Sequence, residues 1–239
     1  MSTFKFSKLF KRNKHLTSPS LLPDIRVLFK SSEIQQATIN LQKIGLDGHH
    51  DFQKNWDLNL TIALLVQFPM NIRILDAGSG SRAVFGNASY KLGYKNIFAS
   101  DLQNYSGTHI KFSKEDITKT NYLDNFFDFV ACLSVIEHGI DVDKFLNEMF
   151  RVTKKGGYLC ISTDFWPSEE NHSFKFPYGK DKPPMILFNN LTIADFIKKA
   201  EEAGWDVPKF VEVPQFSPRP ISWSRMQAEY TFIWLCFVK

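Results

Sequence analysis

The sequence predicts an α/β protein built on a doubly wound, mainly parallel sheet with helices on both faces. Three observations carry that expectation. Strand-like and helix-like segments alternate from about residue 50 onward. The most apolar strand candidate, residues 127–134 (FDFVACLS), is apolar on both faces, as central parallel strands are. The first strand of the series, residues 72–76, runs straight into the glycine turn Asp-Ala-Gly-Ser-Gly.

Each element has its own signal. A helical stretch follows the glycine turn as far as Gly93, which suits the position just past a helix end. Residues 96–100 read as a second strand and residues 110–112 as a weaker third. Val142, Phe145, Leu146, Met149 and Phe150 recur at helical spacing, one stripe facing a sheet, and the run ends in Lys154-Lys155-Gly156-Gly157. Residues 158–163 form the next strand. Thr192 and Asp195 resemble a capping start for a helix with Ile193, Phe196, Ile197 and Ala200 on one side. Residues 210–213 and 231–238 are expected as late strands without a helix between them.

Composition narrows the class. A chain of 239 residues with 44% hydrophobic and 23% charged content suits one soluble domain. Residues 1–30 carry seven basic residues against Asp24 alone, net +6; the whole chain is +4, so the remainder stands at −2. A near-neutral body argues against a nucleic-acid-wrapping surface. We therefore expect a basic N-terminal tail over residues 1–30 and one domain over 31–239. Tail residues Phe4, Phe6, Leu9 and Phe10 leave a peripheral membrane contact as the alternative to a solvated tail. No secretory or spanning segment is apparent, and Cys132, Cys160 and Cys236 each lie in apolar runs without metal spacing, which points to a reducing, cytoplasmic setting.

Ligands of such sheets bind beyond the carboxyl ends of the strands, and polar or glycine residues stand at those positions. Asp76, Gly78 and Gly80 follow the first strand, Asp101 the second, Asp116 the third segment, and Ser134, Glu137 and His138 the fourth. Glycines let a ligand approach the backbone. Asp101 is suited to accept from ribose hydroxyls and Asp116 from an amino group, with Ile117 packing on a ring. Asp76 is suited to the positively charged end of an amino acid. Gly78-x-Gly80-x-x-Ala83 also satisfies the dinucleotide fingerprint, so an NAD-dependent oxidoreductase remains open on the turn alone.

ILDAGSGS, ASDL, EDIT and FDFVACLSVIEH together resemble the motifs of class I S-adenosylmethionine (SAM)-dependent methyltransferases, and FRVTKKGGYLCIS resembles the helix, turn and strand that follow them. The Glu-His pair resembles small-molecule members. The resemblance covers roughly residues 50–239 and implies a seven-stranded sheet closed by an antiparallel C-terminal hairpin. It implies SAM as cofactor, lined by Asp76, Gly78, Gly80, Asp101, Leu102, Asp116, Ile117 and Leu133. The third glycine of the first motif is Ser81 here. Residues 54–57 (KNWD) resemble a lid of some relatives; read from the residues alone, they start a helix with Trp56 on the core.

The expected reaction is metal-independent methyl transfer to a small acceptor, a hydroxyl of a carbohydrate or other metabolite. His138 is the expected base, with Glu137 and His172 as further catalytic residues. Residues 164–190, long, aromatic and Pro-containing, are expected to bind the acceptor through Trp166, His172, Phe176 and Tyr178. A catalytically silent SAM-binding relative is the remaining alternative.

Overall fold

The computed structural model describes residues 22–169, 184–223 and 228–239. The elements in chain order are β1 (Asp24–Val27), α1 (Ser31–Lys43), α2 (Asn55–Leu65), β2 (Arg73–Ala77), α3 (Val84–Lys91), β3 (Asn96–Asp101) and β4 (Lys111–Lys114). They continue with β5 (Phe127–Leu133), α4 (Val142–Val152), β6 (Thr153–Phe165), α5 (Asn190–Glu202), β7 (Ile221–Trp223) and β8 (Ala228–Val238).

The strands order as β1-β8-β6-β5-β2-β3-β4, with β7 pairing β8 off this path. Pairings within β6-β5-β2-β3-β4 are parallel, while β8 runs antiparallel to both β6 and β1. The doubly wound expectation holds: seven strands lie in the main path and the antiparallel hairpin is made by β7 and β8. Successive strand residues point to opposite faces, so Ile74 enters one core with α1, α2 and α3 while Leu75 enters the other with α4 and α5. Helix α4 shows the local logic. Asp141 caps its start, accepting from Lys144 N at 3.1 Å, and Phe145, Leu146, Met149 and Val152 are buried against the sheet.

Three expectations need correction. The tail does not extend to residue 30: Asp24–Val27 pair along β8 as the edge strand, and Leu28 is buried. Its backbone hydrogen bonds outweigh the basic composition that marked the segment as tail. Residues 210–213 form no strand; the short partner of β8 is Ile221–Trp223 instead. Helix α5 opens at Asn189, whose side chain accepts from Thr192 N at 3.0 Å, so Thr192 is the third helical residue and not the cap. The three cysteines are buried free thiols, as expected. No helix among the described residues is long and apolar enough to cross a membrane.

Candidate active site

Strand β2 lies at the centre of the sheet, with β3 on one side and β5 on the other, so a crevice opens past its carboxyl end. The chain leaves β2 through Gly78, whose φ of +70° favours glycine. A Cβ there would meet Val135 at 2.6 Å, so the turn lies flush against the segment after β5. Gly78 N and Ser79 N both donate to Ser100 O of β3, at 2.8 and 3.2 Å.

Two carboxylates hold this turn. Asp101 accepts from Gly80 N at 2.8 Å and from Gln103 N at 2.7 Å. Asp76, only 4% exposed, accepts from Gly86 N of α3 at 2.9 Å. A Cβ at Gly86 would come within 3.3 Å of that carboxylate and 2.8 Å of Ile110, so glycine permits the contact. Burial, against the lowering Gly86 bond, pushes the Asp76 carboxyl up to about 7.

The far side of the crevice is more open. Leu102 is 69% exposed. Asp116, exposed on the turn after β4, accepts from Thr118 N and Oγ1 at 2.8 Å each, and Ile117 beside it is buried. The expected cofactor residues Asp76, Gly78, Gly80, Asp101, Leu102, Asp116, Ile117 and Leu133 thus follow the ends of β2, β3, β4 and β5 in register.

Past β5 the chain makes a 3-10 turn, Ile136–His138. His138 is half-buried; burial first, then Lys54, holds its imidazole below the ordinary value, so it is neutral at neutral pH. Glu137 is 1% exposed and accepts from Thr163 Oγ1 at 3.1 Å. Burial raises its carboxyl to about 7, with Lys54 pulling the other way. His172, Phe176 and Tyr178 lie outside the described residues. Trp166, the remaining expected acceptor wall, is buried, its indole N–H has no hydrogen-bond partner among the described residues, and the Arg219 guanidinium lies 4.0 Å from its ring centre.

The KNWD segment brings what sequence reasoning missed. Trp56 does join the core, but its neighbours face the site. Asn55 fixes the loop before α2, accepting from His49 N at 2.6 Å and donating to Thr38 Oγ1 at 2.9 Å. Asp57 is buried, accepts from Ser162 Oγ and Leu58 N, and is raised by burial to about 6. Asp164, also buried, is raised further, Glu137 adding to the effect of burial. Burial works against the Lys54 ammonium, but Glu137, Asp164 and Asp57 overcome it and strengthen its hold on the proton. Lys54, Asp57, Asp76, Gly78, Leu133 and Ser134 line a cavity of about 70 Å³ together with His49. The visible signal was a lysine and an aspartate set into the start of an apolar helix; their partners lie after β5 and on β6, more than 70 residues away.

A larger trough of about 710 Å³ lies along β1, β8 and α2, lined by residues such as Trp56, Leu64 and Trp234. None of the expected site residues among those described lines it. The smaller cavity holds the convergent polar groups, and those define a site better than volume.

The geometry fits SAM: a turn closed against Val135, paired acids at the ends of β2 and β3, and a Ser134 hydroxyl in the cavity without a partner among the described residues. Residues 75–161 match a family model described as a methyltransferase domain. A stretch of 52 residues is 44% identical to a demethylmenaquinone methyltransferase of Bacteroides fragilis, covering 22% of this chain and 21% of that protein. Another of 103 residues is 33% identical to a ubiquinone biosynthesis O-methyltransferase of Rickettsia bellii, 39% of this chain and 42% of that protein. The chain thus spans less than half the length of these curated relatives. Among solved structures, a SAM-dependent methyltransferase from Mesorhizobium loti matches with a TM-score of 0.55 at 16% identity, over 82% of this chain and all of the other. The 1,6-didemethyltoxoflavin-N1-methyltransferase of Burkholderia thailandensis matches at 0.55 and 14%, over 87% and 86%. The [4+2]-cyclase SpnF matches at 0.55 and 13%, over 88% and 97%.

The fold is the one shared with class I SAM-dependent methyltransferases. Residues 75–161 carry the match to the methyltransferase-domain family model.

Proposed function

We propose that the protein transfers a methyl group from SAM, without a metal, to a hydroxyl on a small ring-bearing acceptor of the quinone-precursor kind. The carrying observation is the glycine turn held between two acids, with Gly80 N on Asp101 and Gly86 N on Asp76. Asp101 is assigned the ribose hydroxyls, Asp116 with Leu102 and Ile117 the adenine, and Asp76 with Leu133 the amino-acid end. The acceptor assignment draws on the relatives' names. One matched relative is named for demethylmenaquinone and the other for O-methylation in ubiquinone biosynthesis. That turns the expectation from a carbohydrate toward a hydroxylated ring.

When bound, SAM supplies a methyl group activated by its sulfonium. The chain supplies alignment and a proton acceptor. His138 is assigned as that acceptor because its imidazole is neutral at neutral pH and follows β5, close enough to Lys54 and Asp101 to feel both charges. Such a base speeds transfer by roughly 10²–10⁴-fold. Glu137 and His172 are the second assignments.

The test uses SAM labelled in its methyl group and a panel of hydroxylated quinone precursors, catechols and simple sugars. We expect label on a hydroxylated ring, and a single-turnover rate at least about 10²-fold lower in His138→Gln with SAM affinity unchanged. Transfer to sugars alone overturns the acceptor class. An unchanged rate in His138→Gln removes His138 from the chemistry.

A further inference from the structure

Carboxylates outnumber cations around the cavity. Asp57 on α2, Asp76 on β2, Glu137 after β5 and Asp164 near the end of β6 are all buried. Lys54 and Asp51 before α2 and Asp101 ending β3 act on them electrostatically, and His49, His50, Arg82, His138 and the Cys132 thiol are the further titratable or charged groups linked to this network. A buried charge needs a partner. Lys54 balances one carboxylate, and the others must hold protons or meet a cation.

Ser134 supplies an independent sign of a ligand. Its hydroxyl is buried without a hydrogen-bond partner among the described residues, the residue is 7% exposed with φ +54°, and it lines the same cavity. Buried hydroxyls are almost always bonded, and strained backbone gathers where ligands bind. The orphaned hydroxyl, Asp57 and Asp76 therefore converge on one space, and Lys54, which also lines it, couples Asp57 to Glu137 and Asp164.

Resting on the assignment of this crevice to SAM, we propose that the site selects the methyl donor by its charge. Arrival of the sulfonium drives a proton out of the buried carboxylate cluster, and the neutral thioether of S-adenosylhomocysteine does not. The O–H bond of one carboxylic acid breaks heterolytically, its proton passes to solvent, and the carboxylate stays opposite the positive charge. No electrons change owner. The raised carboxyls of Asp57, near 6, and of Asp76 and Glu137, near 7, mean protons are present to be expelled at neutral pH. Methyl transfer removes the cation, and the proton that His138 takes from the acceptor hydroxyl then has a place in the same cluster.

The donor and its product share their ammonium and carboxylate, so comparing them isolates the sulfonium. Titration calorimetry of the full chain in two buffers of different ionisation enthalpy counts protons for SAM, for S-adenosylhomocysteine and for sinefungin, whose amine keeps a positive charge near the sulfonium position. We expect SAM and sinefungin to release at least about half a proton more than S-adenosylhomocysteine at pH near 7. The affinity ratio of SAM to S-adenosylhomocysteine should rise about fivefold to tenfold from pH 6 to 8, since one proton released is worth up to tenfold per pH unit. Glu137→Gln and Asp57→Asn should each lower the count; if either fails to fold, the wild-type comparison decides alone. Equal proton counts with a pH-independent ratio overturn the proposal. If neither SAM nor its product binds at any pH, the SAM assignment itself falls.

Discussion

The two flanks of the crevice are built from the same side-chain type in opposite ways. On the β3–β4 flank the acids are accessible and already hydrogen-bonded: Asp101 to Gly80 and Gln103, Asp116 to Thr118. On the β5–β6 flank, with α2 packed beside it, Asp57, Glu137 and Asp164 are buried around Lys54, with carboxyls raised by desolvation. Accessible acids with spare lone pairs suit neutral hydroxyls and amino groups. Buried acids respond to charge. The difference teaches that one crevice can grip the uncharged part of a ligand on one side and sense its charged centre on the other.

The comparison can be broken at its buried flank first. Lys54→Met removes the ammonium from among three buried carboxylates and should destabilise the fold by about 3 kcal/mol at pH 7, read by denaturant titration. The deficit should shrink toward pH 5 as the carboxyls take up protons. A loss under about 0.5 kcal/mol would mean the cluster is not a charge-balanced unit.

The same flank sets the pH dependence of the ligand-free fold. The carboxyls of Asp57 and Glu137 stand near 6 and 7 against ordinary values of 3.8 and 4.5. Their contribution is complete below the ordinary values and is lost as pH rises through the raised ones. The melting temperature should therefore fall between about pH 5 and pH 7.5, and Glu137→Gln should flatten that fall. A melting temperature rising across this window contradicts the assignment.

On the accessible flank, Asp101→Ala should weaken SAM binding by about 1.5–3 kcal/mol, because it removes a charged hydrogen-bond acceptor. Asp116→Ala, on a solvent-exposed turn, should cost about 1 kcal/mol or less. Equal and negligible effects of both substitutions on affinity would erase the distinction between the flanks. Smallest of all, removing residues 1–20 should change neither affinity nor melting temperature, since the sheet begins at Asp24; a loss of either assigns that segment to the domain.

The flanks also differ in how far they could be read in advance. The β3–β4 flank was legible because each acid follows its strand directly and glycines mark the turn, a pattern carried by neighbouring residues. The buried flank depends on Lys54 meeting Glu137 and Asp164 across distant segments, and nothing local to KNWD announces those partners. Among the strands, the apolar runs of β2, β5 and β8 stood out, while β1 hid within basic composition and depends on pairing with β8. Helix α5 was found three residues late because Asn189, the actual cap, looks like loop until its bond to Thr192 is seen.

The most direct test of the account is calorimetry of the wild-type chain against SAM, S-adenosylhomocysteine and NAD(H). The account predicts saturable binding of the first two and none of the third. At about 100 times the dissociation constant, the bound forms should also gain roughly 2.7 kcal/mol of stability. Binding of NAD(H) with no response to either SAM species would contradict it.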